Sequence, residues 1–495
     1  MSRPDLPIEA LPAWTLLNDI TFHDVKVAET EESGYGLVSE RNLSTQEETF
    51  DVPTLITVPH SLVLNVECVE EYAKEDRNFR QLLDAAGHQS TRGDILLFLL
   101  VQTALASRSS QPAAGVSNPW TEYLKFLPAI IPVPTLWTED ELHLLRGTSL
   151  EAAVGAKLSA LEAEFDAVRE SSSGIPCWNE MLWVENTVSL GDWILLDALY
   201  RSRCLELPRS GESMVPCIDM VNHSASPTAY YDENSKDEVV LSMRPGTNIF
   251  KGQEVTISYG DTKSPAEMLF SYGFIDPGST AQSLVLPLEP FPDDPLAKAK
   301  LVAFGEPPKI HMSRSKDGTT VDWKSPFAYL MCVNEEDGLE FRVLQETDGS
   351  RQLRVFWQDQ DVTTRTTDFG PLIQSHQLSA ILRLRVATVI QQRLQDQLDR
   401  LTFSHIPDVQ PLAAGYGNSS PREACIEASL LLREVERGIL ETGIQSLEKQ
   451  VSAVDPSLEL MADENVVAYL GSMETAESDL ANQEASNEED EDDFS

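Results

Sequence analysis

Three polar residues interrupt an apolar stretch near the middle of the chain, and they are the first candidates for chemistry. The segment VPCIDMVNHSASP (215–227) begins like a buried strand or turn, yet it contains Asp219, Asn222 and His223. Buried Asn and Asp side chains most often form hydrogen bonds that stabilise a turn. Taken alone, the segment therefore predicts a satisfied polar turn, and a recognition site for a small ligand is the alternative.

Two further groups of residues could contribute to a site. Gly34, Tyr35 and Gly36 stand between two predicted strands, and glycines allow a backbone to approach a ligand closely. A tight turn explains this pattern better, because no helix follows to complete a dinucleotide-binding fingerprint. Tyr259 and Tyr272 each precede a glycine, a position where tyrosines are often half-buried packing residues. None of these groups is decisive by itself.

Two strand-rich segments must position these residues. Short alternating or β-branched runs occupy residues 14–66, and a second set follows the predicted helix 193–207 as far as residue 276. Helical patterns fill about 67–180 between them. Each set alone has few strands with which to cover a core, so we expect the two sets to complete one another.

The chain beyond residue 300 predicts a helical domain, at 300–452. Residues 378–401 and 423–451 each have the pattern of a long helix. The final 22 residues, 474–495, contain ten acidic and no basic side chains. A tail at 453–495 is therefore expected to be disordered. The first long helix carries an apolar stripe of Leu382, Val386, Ile390, Leu394 and Leu398.

The charge balance restricts the class of partner. The 495 residues include 37 basic and 80 acidic side chains, a formal charge of −43. That excess argues against direct nucleic-acid binding, which needs a basic face. It suits a basic protein partner, although the acidity could also serve only solubility.

Cysteine usage and hydropathy indicate the compartment. The six cysteines form no CxxC pair, so neither a zinc or other metal site nor a disulfide framework is expected. The chain start shows no apolar signal-peptide region. The most apolar run, 95–106, is only 12 residues long, too short to cross a bilayer. We expect a soluble monomer, without membrane contact, in the cytoplasm and/or nucleus.

The order of the motifs is far more specific than any one of them. The set resembles the SET-domain protein methyltransferases, in the branch typified by the plant Rubisco large-subunit lysine methyltransferase. The segments 55–64, 119–128 and 138–150 are also similar to that branch. The motifs, in chain order, are Gly34-Tyr35-Gly36, Ser202-Arg203, Val215-Pro216, Asp219-x-x-Asn222-His223, Ile257-Ser258-Tyr259-Gly260 and Tyr272-Gly273-Phe274.

The resemblance implies an α+β fold: a SET β-fold of short strands at 14–280, split by the helical insert, followed by a C-terminal all-α substrate-binding domain. It implies transfer of a methyl group from S-adenosylmethionine to a lysine of a non-histone protein, with a ribosomal or translation-related substrate favoured. The alternatives are a histidine acceptor, or a catalytically weak module that binds a basic protein.

The resemblance also implies roles for individual residues. Tyr259 and Tyr272 would be catalytic, Tyr272 as a second hydroxyl near the lysine channel. The cofactor would meet the backbone of Gly34–Gly36, the guanidinium of Arg203, the Asn222 and His223 pair, and Tyr259. Asp219 would support the turn that holds this pair. A further wall of the channel would come from Tyr230 or Tyr231, between which the sequence does not choose.

Three positions depart from the family pattern. Ser33 stands where an acidic residue is common, so the cofactor contact expected there is either missing or made by Glu31 or Glu32. Pro265 replaces an asparagine and removes a backbone donor. Thr228 lies near the place of another family asparagine. These changes affect the expected substrate contacts more than cofactor binding.

Overall fold

The computed structural model describes residues 5–30, 34–47, 52–107, 118–184, 187–315, 317–345, 351–404, 421–451, 466–469 and 471–472. The chain divides into two units. The first comprises residues 1–145, 150–280 and 411–429, and the second comprises 146–149, 281–410 and 430–495. Glu31, Glu32, Ser33 and the acidic segment 474–495 lie outside the described residues. Residues 466–469 and 471–472, within the segment 453–495 that the sequence predicts to be disordered, are helical.

Strands of the first unit come from both predicted sets, and one further strand takes residues 204–207, the end of the predicted helix 193–207, because that helix ends at Arg203. The early strands are β1 (Thr21–Phe22), β2 (Val25–Thr30), β3 (Gly34–Ser39), β4 (Leu43–Ser44) and β5 (Thr54–Val58). The later strands are β6 (Cys204–Leu207), β7 (Gly211–Met214), β8 (Ala229–Glu233), β9 (Val239–Met243), β10 (Asn248–Ile249) and β11 (Glu254–Val255).

The two sets share sheets, as the sequence predicts. One sheet has the order β1-β5-β9-β8, and another has the order β11-β3-β2. β4 pairs with β10, and all these pairs are antiparallel. Early and late strands therefore supply each other's edge hydrogen bonds, which brings residues about 200 positions apart into one small β-structure.

Helices fill the interval between the two strand sets. The helix α4 (Thr91–Ser107) forms their centre, because residues 95–101 are at most 1% exposed. It is apolar on all sides, as a helix surrounded by others must be. The helices of the interval are α2 (Val66–Glu75), α3 (Arg77–Ala86), α4 (Thr91–Ser107), α5 (Pro119–Tyr123), α6 (Glu139–Leu142), α7 (Ser149–Ser173), α8 (Pro176–Trp178) and α9 (Leu190–Arg203). α1 (Leu11–Leu17) precedes the first strand, and α10 (Pro265–Tyr272) follows the last strand of this unit.

The second unit combines strands with helices. Its elements are β12 (Ser283–Pro287), α11 (Ala297–Phe304), β13 (Lys309–Arg314), β14 (Val321–Lys324), α12 (Pro326–Met331), β15 (Leu339–Gln345), β16 (Arg351–Trp357), β17 (Gln360–Asp361), α13 (Gly370–Gln374), α14 (Ser379–Phe403) and most of α15 (Glu423–Val451). The strands form two three-stranded antiparallel sheets, β12-β13-β14 and β15-β16-β17.

These sheets correct one expectation. The α+β class with long C-terminal helices is confirmed, but the C-terminal region is not all-α. The strand β13 alternates exposed and buried residues, the period of a half-buried strand. These strands were not predicted, because their sequence patterns are shorter than the strong helical patterns of α14 and α15. On α14 the predicted stripe faces the core: Leu382, Val386, Ile390 and Leu394 are buried, and Leu398 packs against them.

Within the described ranges, no helix combines the length and apolarity needed to cross a membrane.

Candidate active site

The segment that contains Asp219, Asn222 and His223 crosses the segment 254–259. Ile257 donates its N–H to the Asn222 carbonyl at 2.9 Å, and Ser224 donates to the Ile257 carbonyl at 3.0 Å. His223 and Ile257 thereby form an isolated parallel bridge. The two chain segments are joined by backbone hydrogen bonds, so neither can shift without the other.

Tyr259 is held at this crossing by both of its ends. Its hydroxyl donates to the Val221 carbonyl at 2.9 Å, and its N–H donates to Nδ1 of His223 at 3.1 Å. The other imidazole nitrogen, Nε2, lies 3.2 Å from Oδ2 of Asp276. Burial raises the pKa of Tyr259 above its usual range, because a phenolate would lose hydration there. The Tyr259 side chain is therefore a fixed, neutral hydroxyl.

Asn222 connects the crossing to β3. Its Nδ2 donates to Oε1 of Glu254 at 2.6 Å and to the Tyr35 carbonyl at 3.3 Å. A Cβ atom added to Gly36 would lie 2.3 Å from that Glu254 oxygen and 2.7 Å from the Asn222 nitrogen. Gly36 is therefore required by the approach of two side chains, while Gly34 supplies a positive φ of 72° at the start of the strand.

Asp219 and Arg203 form a buried polar pair beside the crossing. Nη1 of Arg203 donates to the Asp219 carbonyl at 2.6 Å and lies 3.9 Å from the Asp219 carboxylate. Among the described residues, neither Nε of Arg203 nor Oδ2 of Asp219 has a hydrogen-bond partner. Buried donors and acceptors are normally satisfied. A guanidinium at the edge of a cavity suits a bound carboxylate, with which arginine pairs strongly.

Tyr123 anchors Asp219 from the helical insert. Its hydroxyl donates to Oδ1 of Asp219 and accepts the Cys217 N–H at 2.8 Å. Cys217 has a φ of 70°, rare for a residue other than glycine. Burial raises the pKa of Asp219 to about 6, against the opposing effect of Arg203. Burial also holds the pKa of the Tyr123 hydroxyl well above its ordinary value.

A cavity of about 340 Å³ opens beside these residues. Arg203, Asp219, Tyr259 and Tyr272 all line it, and the two tyrosine rings lie 4.5 Å apart between centroids. Tyr231 also lines the cavity, whereas Tyr230 is not among the lining residues. Burial raises the pKa of Tyr231. The wall therefore includes three tyrosine rings, and the hydroxyls of Tyr231 and Tyr259 remain protonated.

The predicted site residues fall into two groups, one that lines the cavity and one that lies at or beside the crossing. Four of them line the cavity: Arg203, Asp219, Tyr259 and Tyr272. The others, Gly34, Tyr35, Gly36, Asn222 and His223, are not lining residues, and Asn222 and His223 connect to the cavity through the crossing.

Sequence reasoning missed four residues of this arrangement: Tyr123, Glu254, Lys263 and Asp276. Two of them stand in segments that the sequence marks. Tyr123 belongs to the family-like segment 119–128, and Lys263 follows Tyr259 by four positions. Glu254 and Asp276 offer no local signal, because an isolated carboxylate near a strand or turn is usually a solvated surface group.

Two departures from the family pattern have local structural explanations. Pro265 is the first residue of α10, a position where the missing N–H would have had no helical partner. Ser264 and Glu267 complete a capping box at the same helix start. The Thr228 hydroxyl accepts the Thr256 N–H at 3.1 Å. Both residues therefore stabilise the backbone next to the crossing.

Comparison with known proteins agrees with this arrangement. Residues 34–260 match the family model described as SET domain. The chain is 29% identical over 345 residues to SET domain-containing protein 8 of Schizosaccharomyces pombe, covering 68% of this chain and 75% of that protein. It is 25% identical over 324 residues to the chloroplastic Rubisco large subunit N-methyltransferase of Pisum sativum, covering 62% and 60%.

A solved structure extends the likeness to both units. The SET domain of LSMT bound to methyllysine and AdoHcy aligns with a TM-score of 0.64 at 18% identity, over 90% of this chain and 92% of that one. At this identity the alignment establishes the fold. The family model and the two relatives together confirm the resemblance to SET-domain methyltransferases of the Rubisco-methyltransferase branch.

Proposed function

We propose that this chain, whose residues 34–260 match the SET-domain family model, is an S-adenosylmethionine-dependent methyltransferase that modifies lysine side chains of a non-histone protein. The observation that carries the proposal is Tyr259, fixed by Val221 and His223 at the wall of the cavity that Arg203 and Tyr272 also line. The pea relative is named as an N-methyltransferase of a non-histone protein.

The residues at the crossing fit the cofactor. The guanidinium of Arg203 lines the cavity and suits the carboxylate of S-adenosylmethionine. Asn222 and Tyr35, a half-exposed residue whose carbonyl accepts from Asn222, would hold the remainder of the molecule, with His223. When bound, S-adenosylmethionine supplies a methyl group on a positively charged sulfur.

The cavity suits an acceptor lysine in its neutral form. A free lysine has a pKa near 10.4, so presenting it neutral at pH 7 costs roughly 4.6 kcal/mol. The aromatic wall of Tyr231, Tyr259 and Tyr272 lowers that cost, because desolvation disfavours the ammonium. Tyr259 donates its hydroxyl proton to Val221, so its oxygen is left to accept an N–H of the amine. The tyrosine orients the amine and is not a base.

The charge of the chain supports a basic substrate. A protein with a formal charge of −43 attracts cationic partners over long distances, and a ribosomal or translation-related protein has that character. We therefore propose such a substrate, with the C-terminal region at 300–452 contributing to its binding. The enzyme is proposed to act as a monomer in the cytoplasm or the nucleus.

Labelled S-adenosylmethionine tests the proposal in a cell extract. The wild-type protein should label a discrete protein band, and the modified residue should be lysine by mass spectrometry. Tyr259→Phe should slow labelling at least tenfold with little change in cofactor affinity. Asn222→Ala should weaken cofactor binding measured by calorimetry. Tyr230→Phe is the matched control, since Tyr230 does not line the cavity, and it should behave as wild type.

Three results would contradict the assignment. Absence of both labelling and cofactor binding would exclude an active methyltransferase and favour a binding module. A modified histidine would preserve the reaction class and replace the acceptor. Equal activity of Tyr259→Phe, Asn222→Ala and the wild type would refute the site.

A further inference from the structure

Lys263 places a positive charge beside the two tyrosines of the cavity. Its Nζ donates to the Tyr272 hydroxyl oxygen at 2.5 Å and to the Tyr259 carbonyl at 2.7 Å. The same nitrogen lies 4.7 Å from the centroid of the Tyr272 ring, within the range of a cation–π contact. Lys263 lines the cavity together with both tyrosines.

The chain around Lys263 is shaped to bring the amine back to Tyr259. Gly260 has a φ of 134°, and the Lys263 N–H donates to its carbonyl at 3.3 Å. A Cβ on Gly260 would stand 3.2–3.3 Å from Cγ, Cδ and Cε of Lys263. The lysine stem therefore packs across the face of a residue that has no side chain, and α10 begins directly afterwards with the Ser264 cap.

No carboxylate neutralises this ammonium among the described residues, where its hydrogen-bond acceptors are the two neutral oxygens. The other charged residues of the cavity have their own contacts. Asp197 pairs with Arg92, Lys157 and Arg201. Glu212 accepts from Tyr200 at 2.9 Å, Asp219 lies with Arg203, and Glu206 is exposed. On the loop of Lys263, Asp261 accepts from Ser258 at 2.5 Å, and Glu267 caps α10.

We propose that Lys263 is a positioning residue of the methyl transfer: its ammonium fixes the Tyr272 hydroxyl and the Tyr259 backbone, and its charge disfavours a protonated acceptor in the cavity. An uncompensated cation is unusual in a chain with 80 acidic residues, and here it faces the place where a second amine must be neutral. The inference rests on the proposed function.

The size of the charge effect follows from Coulomb's law. An acceptor at the Tyr259 hydroxyl lies about one tyrosine side chain plus a hydrogen bond from Nζ of Lys263, roughly 8 Å. At an effective dielectric of about 20, a unit charge at that distance raises the neutral fraction of an amine by about tenfold to thirtyfold. The charge of Lys263 no longer raises the neutral fraction at a pH where the acceptor amine is already mostly neutral.

The test compares Lys263→Met with Lys263→Arg across pH. Initial rates of tritium transfer from S-adenosylmethionine to a heat-inactivated cell extract are measured from pH 7 to pH 10, and cofactor affinity is measured by calorimetry. Lys263→Met should lose about tenfold at pH 7 and approach the wild-type rate near pH 10, with cofactor affinity within about twofold. Lys263→Arg keeps the charge and should keep the wild-type pH profile.

Each other outcome overturns the inference. An equal loss by Lys263→Met at every pH would show a merely structural lysine, and an unchanged profile would show that the acceptor does not sense its charge. Methylation of Lys263 itself, detected by mass spectrometry, would make it an acceptor instead. Absence of transfer by the wild-type protein would overturn the proposed function as well, whereas normal wild-type transfer with an unchanged Lys263→Met profile overturns this inference alone.

Discussion

Removal of one hydroxyl, in Tyr123→Phe, should uncouple the helical insert from the crossing. The aromatic ring can stay in place, packed 4.8 Å from Trp14 and 5.3 Å from Trp120 between centroids. The change removes only the donor to Asp219 and the acceptor of the Cys217 N–H. Both partners are buried, so the hydrogen bonds lost with the Tyr123 hydroxyl no longer offset the desolvation of these two groups.

The magnitude of the loss depends on pH. Two orphaned buried groups, one of them charged, cost about 2–4 kcal/mol of unfolding free energy. The pKa of Asp219 is about 6 in the folded protein against an ordinary value of 3.8. Because burial raises this pKa, the group destabilises the fold increasingly as pH rises from about 4 to 6, by roughly 3 kcal/mol above pH 6.

Loss of the Tyr123 donor should raise the Asp219 pKa further, since that hydrogen bond favours the carboxylate. The penalty of Tyr123→Phe should therefore be smaller at pH 5, where Asp219 is mostly protonated in both proteins, than at pH 8. Denaturant unfolding at the two pH values measures this difference. In an Asp219→Asn background the pH dependence of the Tyr123→Phe penalty should vanish.

Two results would refute this reasoning. A penalty below about 1 kcal/mol at pH 8 would mean that water or a rearranged neighbour replaces the Tyr123 hydroxyl. A penalty of equal size at pH 5 and pH 8 would mean that Asp219 does not titrate between them. Retention of the pH dependence in the Asp219→Asn background would assign it to another group.

Two further predictions concern a close contact and a buried carboxyl. Gly36→Ala should weaken cofactor binding at least tenfold by calorimetry, because its Cβ would meet Asn222 and Glu254; Gly155→Ala, on a helix with open space, should bind normally and gain about 0.5–1 kcal/mol of stability. Burial raises the pKa of Glu436, which accepts from Ser149, to about 7. Its ionisation therefore costs stability as pH rises from 4.5 to 7, so Glu436→Gln should exceed the wild type by about 1–3 kcal/mol in denaturant unfolding at pH 8 and match it at pH 5. A Gln variant less stable than the wild type at pH 8 would contradict this.

Much of the fold could be predicted because the relevant signals are local. The period of α14 places Leu382 and Ile390 on one buried face, and a period of 3.6 needs no knowledge of the partner element. The short strands on both sides of the helical insert could be predicted from local patterns in the same way. Their pairing could also be predicted, since each set alone has too few strands to cover a core. The strands of the second unit were not predicted, because runs such as 309–314 are too short to outweigh the helical pattern around them.

The candidate site, too, could be predicted only in part. The types and order of Arg203, Asn222, His223 and Tyr259 were available from the sequence, and they indicated the family. The sequence could not show that Tyr231 rather than Tyr230 lines the cavity. Neighbouring residues of a strand point to opposite faces, and only the sheet decides which face meets the cavity.

The sequence by itself determined which chemical groups this protein possesses and in what order the chain presents them. Only the tertiary structure decided which of them meet. Tyr123 reaches Asp219 across 96 residues, and Asn222 reaches Tyr35 across 187. Such contacts depend on the path of the whole chain, since a hydrogen bond requires its two atoms to lie within about 3 Å, and no local pattern encodes that distance.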